Sequence, residues 1–250
     1  MIGVLDSGVG GLCSYSRLRE LLPSEDVIYL ADRLNSPYGE KSEDELVSIV
    51  EKNVRALEAM GADRVLIACC TASGIYKKLS GRAQDIAFPI IAPAAEDAVL
   101  HSGGGNIAVI STEFTAKNHF FKSEIQRISK APKVFEISSQ MLVSLVELGA
   151  ADGALFPREC ELLDNLAGNI LSLNSKALIL GCTHFSHVKE ELRKRLHGVH
   201  ITDTAKIGAE AFIKARAVSR FEKHTEETKE ENKSRAACRL IKSMRSTQII

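Results

Sequence analysis

The chain has 250 residues, 45% of them hydrophobic, which is enough to bury one substantial core or to divide it between two lobes. Lysine plus arginine and aspartate plus glutamate number 32 each, a balance that argues against a nucleic-acid partner or an anionic membrane surface, despite a short basic patch at Arg239, Lys242 and Arg245. Six cysteines are too sparse for a disulfide-stapled miniature domain, and adjacent Cys69 and Cys70 suit a reducing, cytoplasmic compartment. The opening segment has no basic leader, and no apolar run approaches the about 18 residues of a membrane span.

Taken in chain order, short apolar runs alternate with longer segments of three-to-four-residue period, which predicts an α/β fold. Ile2 to Leu5 is the first predicted strand. A helix after Gly11 would place Leu12, Tyr15, Leu18 and Leu22 inward before Pro23 interrupts it. Val27 to Leu30 is the second strand. The best-marked helix begins at Ser42, where Ser42 and Glu45 have capping-box spacing and Leu46, Ile49, Val50, Asn53, Val54 and Leu57 trace a mainly apolar stripe. Val65 to Ala68 leads straight into Cys69. Pro89 to Ala92 is a weaker strand candidate. The polar stretch from His101 to Asn106 reads as a linker, followed by a strand at Ile107 to Ile110. Helices are expected around Thr115 to Ile128, Ser139 to Leu148, Glu159 to Leu171, Val188 to Leu196 and Ala205 to Phe221, with a strand at Leu178 to Leu180. Such short, apolar strands fit parallel sheets covered on both faces.

Two passages suggest an internal duplication. Ile2-Gly-Val-Leu-Asp-Ser matches Ile107-Ala-Val-Ile-Ser-Thr, and Val65-Leu-Ile-Ala-Cys-Cys-Thr matches Leu178-Ile-Leu-Gly-Cys-Thr when Cys69 and Cys182 are superposed. The expected architecture is therefore two similar lobes with mainly parallel sheets flanked by helices, and an active site in the cleft between them. Residues 1–98 make the first lobe, completed by about 206–221; residues 99–205 make the second; 222–250 form a polar C-terminal segment whose packing the sequence leaves open.

Ligands of open parallel sheets gather beyond the carboxyl ends of the strands. Asp6, Ser7, Asp32, Cys69, Thr71, Thr112, Cys182, Thr183 and His184 all fall at or just after such ends. A cysteine in this position is commonly an inert core residue. Two of them, each followed by a threonine-bearing turn whose backbone amides favour a thiolate, also suit a pair of opposed acids and bases, since free thiols titrate near about 8.5. Zinc ligation by Cys69, Cys70, Cys182 and His184 is a competing use, although there is no Cys-x2-Cys hook. An acyl-transfer pairing of Cys182 with His184 is another, weakened by their adjacency on a tight turn. Glu147 is either an inward acid on an apolar helix or a solvent-facing residue, and His184 either supports a thiolate or sits in an ordinary loop. Asp6-Ser-Gly-Val-Gly-Gly11 is an amide-rich turn suited to a carboxylate; it matches neither the phosphate-binding loop pattern nor the dinucleotide fingerprint, so no cofactor is implied.

Together these segments resemble the glutamate racemase family, within the aspartate/glutamate racemase superfamily. The resemblance is carried by Asp6-Ser-Gly-Val-Gly-Gly-Leu12, Tyr29-Leu-Ala-Asp32, Ser36-Pro-Tyr-Gly39, Ala68-Cys-Cys-Thr-Ala-Ser73, Ser111-Thr-Glu-Phe-Thr115, Leu180-Gly-Cys-Thr-His-Phe185 and Ile201-Thr-Asp-Thr204. It implies cofactor-independent, metal-free interconversion of L- and D-glutamate, supplying D-glutamate for peptidoglycan, with a homodimer as the implied assembly. Carried over by position, Cys69 acts on the D-enantiomer and Cys182 on the L-enantiomer. Asp6, Glu147 and His184 support proton transfer. Asp6, Ser7, Pro37, Tyr38, Gly39, Cys70, Thr71, Thr112, Thr115, Thr183 and His184 hold substrate. The chain departs from the family where Cys70 replaces an asparagine, where Ser186-His187 replaces Pro-Leu, and after residue 221. A thiol cannot offer both functions of an amide, so the alternatives are a racemase of another acidic amino acid such as aspartate, or a weakly active member acting as a binding or regulatory protein.

Overall fold

Among the described residues, eight strands form two four-stranded parallel sheets with the same internal order. The computed structural model describes residues 1–147 and 157–219, apart from the side chains of Leu145, Glu147 and Pro157. The side chain of the proposed acid Glu147, and the C-terminal segment 222–250, thus lie outside what is described. Both sheets belong to the unit Met1–Phe212.

The first sheet contains β1 (Ile2–Asp6), β2 (Val27–Ala31), β3 (Arg64–Ile67) and β4 (Ala87–Pro89), in the order β2-β1-β3-β4. Its connections are α1 (Leu12–Leu21), α2 (Glu43–Ala59), α3 (Cys70–Gly74) and α4 (Gly81–Ile86). Next, α5 (Ile91–Ser102) leads to the second sheet of β5 (Asn106–Ser111), β6 (Val134–Ser138), β7 (Ser175–Gly181) and β8 (His200–Asp203), ordered β6-β5-β7-β8. Around it lie α6 (Glu113–Lys117), α7 (Phe120–Ile128), α8 (Gln140–Glu147), α9 (Pro157–Ser172) and α10 (Lys189–Arg195). A final helix, α11, covers 204–219.

The equivalence of the two sheets gives the sequence repeat its physical meaning. In each, the strand carrying the repeat is second in order, between an edge strand and the strand that ends in cysteine. Register then aligns the carboxyl ends: Leu5 pairs with Ile67 in the first sheet, and Ser111 with Gly181 in the second. Each cysteine therefore emerges beside the end of the neighbouring repeat strand.

Local chemistry explains the elements. The side chain of Ser42 accepts from the Glu45 amide and Glu45 reaches back to the Ser42 amide, a complete capping box for α2. Leu46, Val50, Val54 and Leu57 of α2 are fully buried against β1 and β3, each such side chain worth roughly 1.5–3 kcal/mol of burial. In the second sheet Leu163, Leu166, Ala167 and Ile170 of α9 play the same part.

Several expectations require correction. In α1 only Ser14 and Leu18 are buried, whereas Leu12 is exposed and Tyr15 and Leu22 are half-buried. The strand expected at Pro89 to Ala92 ends at Pro89, and Ile91 opens α5, whose four alanines favour helix and whose first turn tolerates Pro93. His101 and Ser102 close that helix rather than opening a linker, and Gly103 caps it at φ +57°. The single helix expected from Thr115 to Ile128 is two, separated by His119 in the left-handed region. The sequence pattern predicts neither β6 nor β8. Glu136 interrupts the first and His200, Thr202 and Asp203 fill the second, as edge strands permit.

Among the described residues, no helix is long and apolar enough to cross a membrane.

Candidate active site

The carboxyl ends of β1, β3, β5 and β7 bring together most of the residues singled out from the sequence. The Asp6 carboxylate at the end of β1 accepts from the Gly8 amide (2.8 Å) and from the Thr183 hydroxyl (3.2 Å), so it ties the turn after β1 to the turn after β7. The next residue, Ser7, places its hydroxyl 3.7 Å from the Cys69 thiol. On the other side, the Cys182 thiol lies 3.4 Å from His184 Nδ1. Gly10 is pressed against this pair, since a Cβ there would lie 2.6 Å from His184 Nδ1 and 2.7 Å from Thr183 Oγ1.

A second junction is made of three hydroxyls. Thr71, in α3, lies 3.2 Å from Thr112 Oγ1 and 3.3 Å from Thr115 Oγ1, and Thr112 donates to Thr115 at 2.9 Å. Thr112 also caps α6 by accepting from the Thr115 amide. Gly39 approaches closely enough that a Cβ would be 3.8 Å from Thr112 Cβ. The three hydroxyls together form a cluster of donors able to hold a carboxylate.

Tyr38 is buried by a network that the sequence did not announce. Its hydroxyl donates to Asp32 (2.8 Å), and the Asn53 amide reaches both Asp32 (2.7 Å) and Tyr38 (3.0 Å). Burial works to raise the Asp32 carboxyl, but hydrogen bonds from Asn35, Asn53 and Tyr38 outweigh it and hold the carboxyl below the usual range. The available signal was Asn53 itself, a polar residue on the apolar stripe of α2. Tyr29, whose hydroxyl donates to the Gly8 carbonyl at 2.7 Å, fixes the amide-rich turn and was likewise missed.

The electrostatics correct one expectation. The amides of Thr71 and Ala72 do favour a Cys69 thiolate, but burial and the nearby Asp6 charge prevail and push the thiol up to about 11. Burial, then the proximity of Cys70 and Cys69, pushes Cys182 well above its ordinary range, against the favourable His184 amide. Burial likewise raises the Asp6 carboxyl, with His184 and the Gly8 and Gly11 amides opposing. Burial thus disfavours both thiolates, and a charged group entering beside them supplies the compensation.

Two residues sit differently from expectation. Pro37 is exposed, so within the Pro37-Tyr38-Gly39 turn it is the neighbouring tyrosine that is enclosed. Cys70 is buried, but its thiol donates to the Thr204 hydroxyl at 3.5 Å, which in turn donates to the Leu180 carbonyl at 2.7 Å. That thiol is directed into the junction with α11.

Chemically, the arrangement presents two buried thiols, each with a polar partner, at equivalent ends of two sheets. It suits proton transfer at a carbon flanked by a carboxylate: one group removes a proton, and the other supplies one.

Comparison with known proteins points the same way. The Asp/Glu/hydantoin racemase family matches residues 17–212. A glutamate racemase of Desulforudis audaxviator is 34% identical over 196 residues, covering 78% of this chain and 71% of the relative. Among solved structures, the glutamate racemase isoform RacE1 of Bacillus anthracis superposes with a TM-score of 0.76 at 28% identity, covering 89% of this chain and 82% of that one. The Escherichia coli glutamate racemase, solved with L-glutamate and the activator UDP-MurNAc-Ala, gives 0.68 at 28% identity, covering 85% and 80%.

Proposed function

The chain belongs to the Asp/Glu/hydantoin racemase family, and we propose that within it this protein interconverts L- and D-glutamate without a cofactor, using Cys69 and Cys182 as opposed acid and base. The observation that carries this reading is the placement of the two thiols at equivalent ends of β3 and β7, one beside Ser7 and the other beside His184, with Asp6 linking the two turns. On D-glutamate the Cys69 thiolate takes the α-proton while the Cys182 thiol delivers its own proton to the opposite face; on L-glutamate the roles reverse. Each turnover leaves the two protonation states exchanged, so the thiols titrate as a coupled pair.

No electron sink is needed in this scheme, so stabilisation of the developing charge falls to orientation and hydrogen bonds. The amides of the turn after β1, Thr183 and the Thr71, Thr112 and Thr115 hydroxyls serve the substrate carboxylates. His184 supports Cys182. The choice of glutamate is supported by relatives that are glutamate racemases, one of them solved with L-glutamate. The product would supply D-glutamate for peptidoglycan in the cytoplasm.

The Cys70 substitution favours a second reading, racemisation of a different acidic amino acid such as aspartate. Its thiol is engaged with Thr204, which removes a polar contact that an amide would give a substrate.

Proton NMR in deuterated water distinguishes these readings. Reduced protein with L-glutamate, and separately D-glutamate, is expected to exchange the α-proton and yield the opposite enantiomer, with inversion lost in both Cys69→Ala and Cys182→Ala. Exchange of aspartate alone selects the second reading. A folded, reduced protein that exchanges neither overturns both and leaves a binding or regulatory role.

A further inference from the structure

At the amino end of β8, α5 and β8 bring two imidazoles and a carboxylate to one point. Asp97 and His101 lie four residues apart on the same face of α5, and His200 opens β8 against them. The ligand atoms of Asp97, His101 and His200 lie within 4.8 Å of one another, and no other such group of three occurs among the described residues. We propose that these three residues bind a divalent zinc-class ion.

The donor set and its supports agree with this assignment. Two imidazoles and one carboxylate favour borderline metals such as zinc over magnesium or calcium, which take oxygen ligands. Metal-binding histidines usually donate their second ring N–H to a carbonyl or carboxylate. His101 Nδ1 lies 2.8 Å from the Asp97 backbone carbonyl and 3.3 Å from Asp97 Oδ1, and the tautomer that donates to the carbonyl leaves the Nε2 lone pair for the ion. The Asp97 carboxylate is oriented by Thr202, whose hydroxyl donates to Oδ2 at 2.7 Å. His200 Nε2 lies 2.8 Å from the same oxygen, a contact that the ion would replace.

Bonds of about 2.0–2.1 Å to a tetrahedral ion place ligand atoms roughly 3.3 Å apart, so the three ligand atoms, now within 4.8 Å of one another, draw together on binding. The two imidazoles, now stacked at 3.9 Å, splay to admit the ion. His101 is exposed and gives entry from solvent, and water completes the coordination. The site lies at the amino end of β8, where His200 is roughly 10 Å of strand from Asp203 at the other end. Occupancy therefore joins α5 to the sheet edge and stabilises the fold without taking part in turnover.

Equilibrium dialysis of the full, phosphine-reduced chain against Co(II), followed by visible spectroscopy, tests the assignment. One equivalent of Co(II) is expected, with no near-ultraviolet thiolate-to-cobalt band. His101→Gln, at an exposed position where folding is not at risk, should weaken binding at least about tenfold and leave racemisation unchanged; Thr202→Val should weaken it about 10–100-fold. Zn(II) should compete for the cobalt and raise the melting temperature of the wild type but not of His101→Gln. Failure to bind a stoichiometric ion, a thiolate band, or binding indifferent to His101→Gln overturns the proposal.

Discussion

Gly10→Ala offers a test of the geometry on which the proposed mechanism depends. The new methyl would lie 2.6 Å from His184 Nδ1, whereas ordinary contact begins near 3.4 Å, so His184 must retreat by about 0.8 Å. It has little room, being buried with its imidazole 3.4 Å from the Cys182 thiol. Overpacking of this kind costs about 1–3 kcal/mol of stability, and displacement by about 1 Å can cost 100-fold in rate, equivalent to about 2.7 kcal/mol of barrier. The expected result is a folded protein whose kcat falls about 30–100-fold. Since the enantiomers have equal free energy, kcat/KM must fall by the same factor in both directions. Gly168→Ala is the control: nothing lies within 4 Å of its added Cβ, and α9 gains about 0.8–1.0 kcal/mol of helix propensity. Chiral turnover and thermal melts of the two variants form the assay. A folded Gly10→Ala protein with wild-type turnover refutes the link between His184 placement and catalysis.

Three further outcomes are expected. Cys70→Ala should reduce turnover far less than Cys69→Ala or Cys182→Ala, because its thiol serves Thr204; equal losses in the α-proton exchange assay would contradict that division. With Cys69 raised to about 11, kcat/KM should climb from neutral pH toward that value as thiolate accumulates, while stability moves the other way. A thiol with a raised folded-state pKa stabilises the fold fully below its unfolded value of about 8.5, and that contribution disappears as pH rises through about 11, which urea titrations at stepped pH will show. Asp32→Ala strands the hydrogen bonds of Asn53 and Tyr38 and should cost about 1–3 kcal/mol. Because the Asp32 carboxyl is held low, its contribution is present above about pH 3.9 and lost as pH falls below it, so the variant should lose the matching part of the wild type's acid sensitivity.

The sequence by itself determined the α/β class, the central strands and the placement of Cys69 and Cys182 at equivalent strand ends. These rest on local signals: continuous apolar runs, the Ser42 capping box, and a repeat whose two copies end in comparable residues. It misplaced α5 because Pro89 to Ala92 is locally as strand-like as helical, and it missed β6 and β8 because edge strands tolerate polar residues that hide their pattern. Tertiary structure alone decided the rest, since the deciding partners are far apart in the chain. Cys70 meets Thr204 across 134 positions, Asp6 meets Thr183 across 177, and His200 meets Asp97 across 103. The acidity of the thiols was also beyond the sequence. Flanking amides promised thiolates, but the burial that raises both cysteines exists only once two sheets have closed their carboxyl ends around them.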